Sequence, residues 1–134
     1  MFCALEPQTE LKSLLGHESF KLLDRVFQDF DEAVQIFGMY KYQHVGDWYI
    51  VTCPRVAQPF DREVQESEYP LSYFEEMCLL AEELETRAKK FEINGSRLTL
   101  RVGLHCGAAA GAVVGLHRAF YCVYGDTINT TARM

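Results

Sequence analysis

Two polar side chains near the end of the sequence, Asn129 and Arg133, have types and a spacing that suit phosphate chemistry. A spacing of four residues places both on one face of a helix. An amide offers a neutral donor, and a guanidinium offers a planar cation that matches a phosphate group. The pair could therefore present donors to a phosphate, although an exposed polar helix face is the commoner explanation of such a pattern.

Asp47 follows Gly46 between two segments, 39–45 and 48–52, that are rich in β-branched and aromatic residues. Gly-Asp is a favourable turn dipeptide, so the pattern predicts a hairpin with Asp47 at its tip. Turn formation alone accounts for most such aspartates. Cys122 lies in an aromatic segment, where a cysteine is most often a small buried side chain.

Several other chemistries are excluded by the motifs. The four histidines are too far apart in sequence for a local metal site, and there is no HExxH motif. The glycine- and alanine-rich run at 107–115 lacks the Lys-Ser/Thr ending of a phosphate-binding P-loop. No GxSxG motif of a serine hydrolase is present. Taken alone, the glycine run is best explained by close packing of the backbone.

Composition describes one globular domain. The 134 residues are 49% hydrophobic and 24% charged, and the net charge of −6 argues against a partner such as nucleic acid. Five cysteines with no CxxC pair indicate reduced thiols and a cytosolic location. The most apolar stretch, 106–116, has 11 residues, whereas a membrane span needs about 20. We therefore expect no direct membrane span.

The elements that must position these residues follow from hydrophobic periodicity. Helices are predicted at 8–37, interrupted at Gly16, at 70–92, and from Asp126 or Thr127 as N-cap to the end. The first carries one apolar stripe: Leu23, Val26, Phe27, Phe30, Val34 and Phe37. The second carries an apolar face and is ended by Asn94-Gly95; the residues of this face are Leu71, Phe74, Cys78, Ala81, Leu84, Ala88 and Phe91. A hairpin at 39–53 and strands at 97–104 and 120–124 supply the sheet, and 54–69 is predicted as a loop. This order predicts an α+β sandwich with a mostly antiparallel sheet.

Four segments taken together resemble class III nucleotidyl cyclases, the adenylyl and guanylyl cyclase family. Residues 41–50 resemble its metal-binding hairpin, 101–107 its strand and turn, and 111–115 its following strand. Residues 121–134 are close to its most specific signature, and closest to the guanylyl cyclase version. The resemblance covers nearly the whole chain, 1–134, in the right order, so we interpret the chain as a single, partial cyclase catalytic domain.

The resemblance implies a ferredoxin-like core that works as a head-to-tail homo- or heterodimer, with the nucleotide bound between two cyclase domains. It implies a lyase that forms a cyclic nucleotide. The ribose 3′-oxygen of GTP, or alternatively ATP, attacks the α-phosphate, and pyrophosphate leaves. Such chemistry uses a divalent cation, Mg²⁺ or Mn²⁺. The domain would be cytoplasmic, or the cytosolic portion of a larger membrane protein.

The resemblance also assigns roles to five residues. Asp47 matches the second of two metal-binding aspartates, Asn129 would position the ribose, and Arg133 would stabilise charge on the α-phosphate. Gln43 and Cys122 occupy the two positions that read the purine. Cys122 is of the guanylyl type, but Gln43 is of neither type, because guanylyl cyclases typically have Glu and adenylyl cyclases Lys at this position. A glutamine amide offers one acceptor and one donor where a carboxylate offers two acceptors, so discrimination in favour of guanine should weaken.

Two departures leave alternatives open. If Phe2 matches the family's first strand, then Ala4 stands where the first metal-binding aspartate is expected; otherwise that strand is missing. The family also continues past the signature helix to a phosphate-binding lysine, so we expect a fragment or a degenerate domain. The alternative to a catalytic domain is a non-catalytic homology domain that dimerises with a catalytic partner and regulates it.

Overall fold

The computed structural model describes residues 1–14 and 16–134. The strands are β1 (Phe2–Glu6), β2 (Tyr40–Val45), β3 (Trp48–Thr52), β4 (Glu92–Ile93), β5 (Ser96–Arg97), β6 (Thr99–Gly103), β7 (Ala110–Val114) and β8 (Phe120–Tyr124). The helices are α1 (Gln8–Ser13), α2 (Gly16–Ile36), α3 (Arg62–Glu66), α4 (Ser72–Ala88) and α5 (Asp126–Arg133), with a 3₁₀ turn at Pro54–Ala57.

One antiparallel sheet with the order β2-β3-β1-β6 forms the centre of the fold. With α2 between β1 and β2, and α4 between β3 and β6, the path is the βαββαβ arrangement of ferredoxin-like folds. The predicted α+β class is therefore confirmed. Strand β1 lies inside the sheet and pairs along both edges, so the first segment of the chain is a central strand.

The core lies on the side of the sheet that faces α2 and α4. Most of its buried side chains come from β1 and β3 on the sheet side and from the two helices on the other: Cys3, Leu5, Tyr49, Val51, Val26, Phe27, Phe30, Ala33, Val34, Met77, Leu80, Leu84 and Ala88. The apolar stripe predicted for α2 is confirmed. Burial raises the pKa of the Cys3 thiol to about 12, so this cysteine stays protonated.

The prediction for α4 was partly wrong. Leu71 and Phe74 were expected on its buried face, but both are exposed, and Met77 and Leu80 are buried instead. The helix also begins at Ser72 and ends at Ala88. Leu84 and Ala88, expected on the same face, are buried as predicted. The difference is therefore confined to the start of the helix, where Leu71 is the N-cap residue.

Three local predictions also need correction. Asn94 and Gly95, expected only to end a helix, both have positive φ and form the tight turn between β4 and β5. The segment predicted as one strand at 97–104 is divided between β5 and β6, with fully buried Leu98 between them. Helix α5 has Gly125 as its N-cap, without a side-chain cap.

Strands β7 and β8 form a separate antiparallel ribbon beside the main sheet. The hydroxyl of Tyr121 donates a 2.7 Å hydrogen bond to the Val56 carbonyl oxygen, and its ring crosses Gly111 so closely that a Cβ there would overlap it. The close-packing explanation of the glycine run therefore holds at this position. No helix in the described part of the chain is long and apolar enough to cross a membrane.

Tyr42 connects this ribbon to the main sheet. The register of β2 against β3 shifts between Lys41 and Gln43, which leaves Tyr42 at a bulge. Its hydroxyl accepts a 3.0 Å hydrogen bond from the Val123 backbone N–H and donates one of 3.4 Å to the Tyr121 carbonyl oxygen. The two tyrosine rings pack edge to face, with centroids 6.3 Å apart.

We predict that Tyr42→Phe lowers the free energy of unfolding by about 1–3 kcal/mol, because the buried N–H of Val123 loses its partner. Tyr40→Phe is the matched control on the same strand, since its hydroxyl makes no hydrogen bond to any described residue. Urea unfolding followed by circular dichroism measures both. Equal losses in the two variants would show that the hydroxyl of Tyr42 does not hold the ribbon.

Candidate functional site

Asp47 lies half-buried at the tip of the β2–β3 hairpin, where Gly46 supplies the positive φ of a two-residue turn. The Gln8 side-chain amide donates a 2.8 Å hydrogen bond to the Leu5 carbonyl oxygen and a second to Oδ2 of Asp47. Neither acceptor carries a hydrogen, so only the NH₂ end of the amide can face them. Gln8 thus joins the end of β1 to the hairpin tip.

Ala4 stands in the middle of β1 and is fully buried. Its cross-strand neighbours are Trp48 of β3 and Arg101 of β6. The guanidinium carbon of Arg101 lies 6.0 Å from the Trp48 ring centroid, within range of a cation–π interaction. The first strand is therefore present, and the position expected to carry a second carboxylate holds a methyl group beside an aromatic ring and a cation.

These residues do not fit the two-carboxylate metal site that the sequence led us to expect. Asp47 already accepts a hydrogen bond from a neutral amide. Glu6, the next acidic side chain on β1, accepts a hydrogen bond from the Gln8 backbone N–H and lies 3.9 Å from Arg101. Across residues 1–14 and 16–134, no group of three or more His, Cys, Asp or Glu side chains is arranged to hold a metal ion.

The two residues expected to read the purine flank the contact made by Tyr42. Gln43 is exposed on β2, directly after the bulge, and Cys122 is half-buried on β8 between the two residues that Tyr42 binds. The structure therefore brings their strands together across the gap between the sheet and the ribbon. The thiol of Cys122 makes only a long 3.7 Å contact to the Phe120 carbonyl oxygen.

Asn129 and Arg133 lie one turn apart on α5, and both are exposed. The opposite side of the helix is anchored: Thr127 donates a 2.7 Å hydrogen bond to the Ala108 carbonyl oxygen, and Thr131 is buried. Neither Asn129 nor Arg133 makes a side-chain hydrogen bond or ion pair with the residues described. Helix α5 therefore presents an amide and a guanidinium to solvent.

The five predicted residues do not form one site within a single chain. Cys122, Asn129 and Arg133 belong to the β8–α5 unit, and Gln43 lies on the neighbouring strand, whereas the carboxylate of Asp47 binds the β1–α1 turn. None of the five lines any of the three clefts found on the described surface.

Two residues that organise this region were missed by the sequence analysis. Gln8 follows Pro7 at the start of α1, where its type gives no sign that it will reach Asp47, 39 positions away. Tyr42 sits within a regular-looking strand pattern, and the bulge that turns it toward β8 leaves no mark in hydrophobic alternation.

Comparison with known proteins identifies the family. The chain matches the family model of the adenylate and guanylate cyclase catalytic domain over residues 1–134. It is 31% identical over 120 residues to the receptor-type guanylate cyclase gcy-23 of Caenorhabditis elegans, and 32% identical over 117 residues to guanylate cyclase 2G of Mus musculus. These alignments cover 87% and 85% of the chain but only 10% of each relative.

The fold agrees with solved structures. The guanylate cyclase domain of RhGC from Catenaria anguillulae, in complex with GTP, superposes with a TM-score of 0.78 at 23% identity. That match covers 99% of this chain and 68% of the other. A bacterial light-regulated adenylyl cyclase matches with a TM-score of 0.71 at 15% identity, over 98% of this chain and 37% of the other. The family model and the sequence relatives together show that the chain belongs to the adenylate and guanylate cyclase catalytic domain family.

Proposed function

We propose that this chain takes part in the conversion of GTP into cyclic GMP and pyrophosphate, as one half of a head-to-tail dimer with a second cyclase domain. The observation that supports this is the β8–α5 unit, which carries Cys122 on the strand and Asn129 and Arg133 on the helix that follows. The side chains of Asn129 and Arg133 are exposed and have no partner among the described residues. Such a domain works where GTP is available, in the cytoplasm or on the cytosolic side of a larger membrane protein.

In this proposal, Arg133 neutralises charge at the α-phosphate. When the ribose 3′-hydroxyl oxygen forms its bond to phosphorus, its proton passes to solvent, negative charge increases on the non-bridging oxygens, and the bond to the leaving pyrophosphate breaks. The planar guanidinium can donate two hydrogen bonds to these oxygens and so stabilise the charge that develops on them. Asn129, one turn earlier on α5, orients the ribose so that its 3′-oxygen lies in line with the departing group.

Gln43 and Cys122 would determine the choice of purine. Guanine presents two neighbouring hydrogens, on N1 and N2, and the Gln43 side chain has only one carbonyl oxygen to receive them. Its NH₂ group is a donor and cannot accept a hydrogen bond from the second guanine hydrogen. We therefore expect a preference for GTP over ATP that is weaker than a carboxylate at position 43 would confer.

A second candidate function is that of a regulatory homology domain whose dimer partner alone is catalytic. The arrangement around Ala4 and Asp47 favours it, because these residues do not fit a metal site. The two candidates differ in one respect: only in the first do the side chains of α5 contact the nucleotide that reacts.

Arg133→Ala tests this difference. The full chain is mixed with a guanylyl cyclase domain that keeps both metal-binding aspartates but has lost its own α5-type arginine, so that its homodimer is inactive. We expect the mixture to form cyclic GMP, and Arg133→Ala to lower kcat by about 100-fold or more, as loss of a transition-state donor does. Formation of cyclic GMP is measured with Mn²⁺ present.

Arg62→Ala is the control, because Arg62 is also an exposed helical arginine and forms only a surface ion pair with Glu66. It should leave the rate of the mixture unchanged. Dimer formation is checked by analytical ultracentrifugation. A mixed dimer that forms but stays inactive, or one that is unaffected by Arg133→Ala, would contradict the proposed function.

The choice of purine gives a separate prediction. Gln43→Glu should raise the ratio of kcat/KM for GTP over ATP by about 5- to 150-fold in the mixed dimer, since one good bidentate contact to a base is worth about 1–3 kcal/mol. Gln35→Glu, at an exposed position of α2, makes the same chemical change elsewhere and should leave the ratio unaltered. An unchanged ratio in Gln43→Glu would remove Gln43 from the purine site.

A further inference from the structure

The side-chain NH₂ group of Gln8 lies between two oxygen atoms that are arranged like the ligands of a cation. Two oxygen atoms, the carbonyl oxygen of Leu5 and Oδ2 of Asp47, converge on one point. Backbone carbonyl and carboxylate oxygens are the ligands that Mg²⁺ and other hard cations take. At that point lies the NH₂ group of Gln8, which donates one hydrogen to each oxygen.

The surroundings also disfavour a divalent cation. Arg101 places a positive charge on the strand opposite Ala4, and the Trp48 ring lies beside the Arg101 guanidinium. Glu6 is engaged by Arg101 and by the backbone N–H of Gln8. A cation here would have to displace the Gln8 amide, which already donates to the oxygens of both Leu5 and Asp47. It would also be repelled by the positive charge of Arg101 on β6.

We propose that the Gln8 amide takes the place of a divalent metal ion in this chain and holds the end of β1 to the β2–β3 hairpin. Asp47 then serves as a structural acceptor, and the chain does not bind Mg²⁺ or Mn²⁺ at this position. The inference concerns metal binding alone and does not depend on the proposed function. Where the chain does take part in cyclisation, the metal ligands belong to the second domain.

Gln8→Glu tests the proposal by exchanging one NH₂ group for an oxygen. The variant places two carboxylates and the Leu5 carbonyl around one point, which is an oxygen-ligand set for a hard cation. We expect the wild-type chain to bind no Mn²⁺ at this site up to about 10 mM, and the variant to bind Mn²⁺ at least about tenfold more tightly. Loss of the free Mn²⁺ signal in electron paramagnetic resonance measures both.

The chain offers a matched control. Gln28 on α2 also donates its amide to an aspartate, Oδ2 of Asp24 at 2.9 Å, but at an exposed position. Gln28→Glu adds the same charge beside the same kind of acceptor, with no Leu5 carbonyl, and should gain no Mn²⁺ binding. Asp47→Asn combined with Gln8→Glu should abolish the gained binding.

A second measurement covers the case in which Gln8→Glu is too unstable to study. In wild-type protein labelled with ¹⁵N, the side-chain NH₂ signals of Gln8 and Gln28 are assigned with Gln8→Met and Gln28→Met. Added Mn²⁺ should broaden the Gln8 signal no more than the Gln28 signal. Selective broadening of Gln8, Asp47-dependent Mn²⁺ binding by the wild-type chain, or a folded Gln8→Glu variant without gained binding would each overturn the proposal.

Discussion

The pairing of β1 along both of its edges is the constraint on which the rest of this structure depends. Because β3 and β6 both hydrogen-bond to it, the register fixes Ala4 opposite Trp48 on one side and Arg101 on the other. Cys3 and Leu5 must then point to the helices, and Ala4 and Glu6 to the other face. What this face can bind is decided by the side chains that the register brings there.

The consequence is a division between two regions of the chain. On one side, Gln8 ties the hairpin tip to β1, and Gln43 is exposed further along β2. On the other, the hydrogen bond from Thr127 to the Ala108 carbonyl oxygen and the burial of Thr131 hold α5, and Asn129 and Arg133 face solvent. Under the proposed function, such a domain would supply contacts to the nucleotide, and a second domain would supply the metal ligands.

Most of the fold could be predicted from the sequence, because its elements have strong periodic signals. The stripe of α2, the Gly46-Asp47 turn and the α+β order were all read correctly. The face of α4 was assigned correctly at Leu84 and Ala88 but not at its start, where Leu71 and Phe74 are exposed. Propensity describes a helix by itself, whereas burial depends on the surface packed against it.

The candidate site was less accessible to sequence reasoning. The positions of Gln43, Asp47, Cys122, Asn129 and Arg133 on their elements agree with expectation, and their roles stay predictions. The identity of Ala4 could be read from the sequence, but the hydrogen bond from the Gln8 amide to Asp47 could not. Gln8 and Asp47 are 39 residues apart, and only the pairing of β1 with β3 brings them together. Contacts of this kind come from topology and leave no local pattern.

The central claim is that this chain presents nucleotide-binding side chains and leaves metal binding to another domain. The most direct measurement is a crystal structure of the mixed dimer with a non-hydrolysable GTP analogue and Mn²⁺, with anomalous diffraction collected at the manganese edge. The account predicts manganese only on the carboxylates of the second domain, with Arg133 at the α-phosphate and Gln8 still bound to Asp47. An anomalous peak at Asp47, with Gln8 displaced, would contradict it.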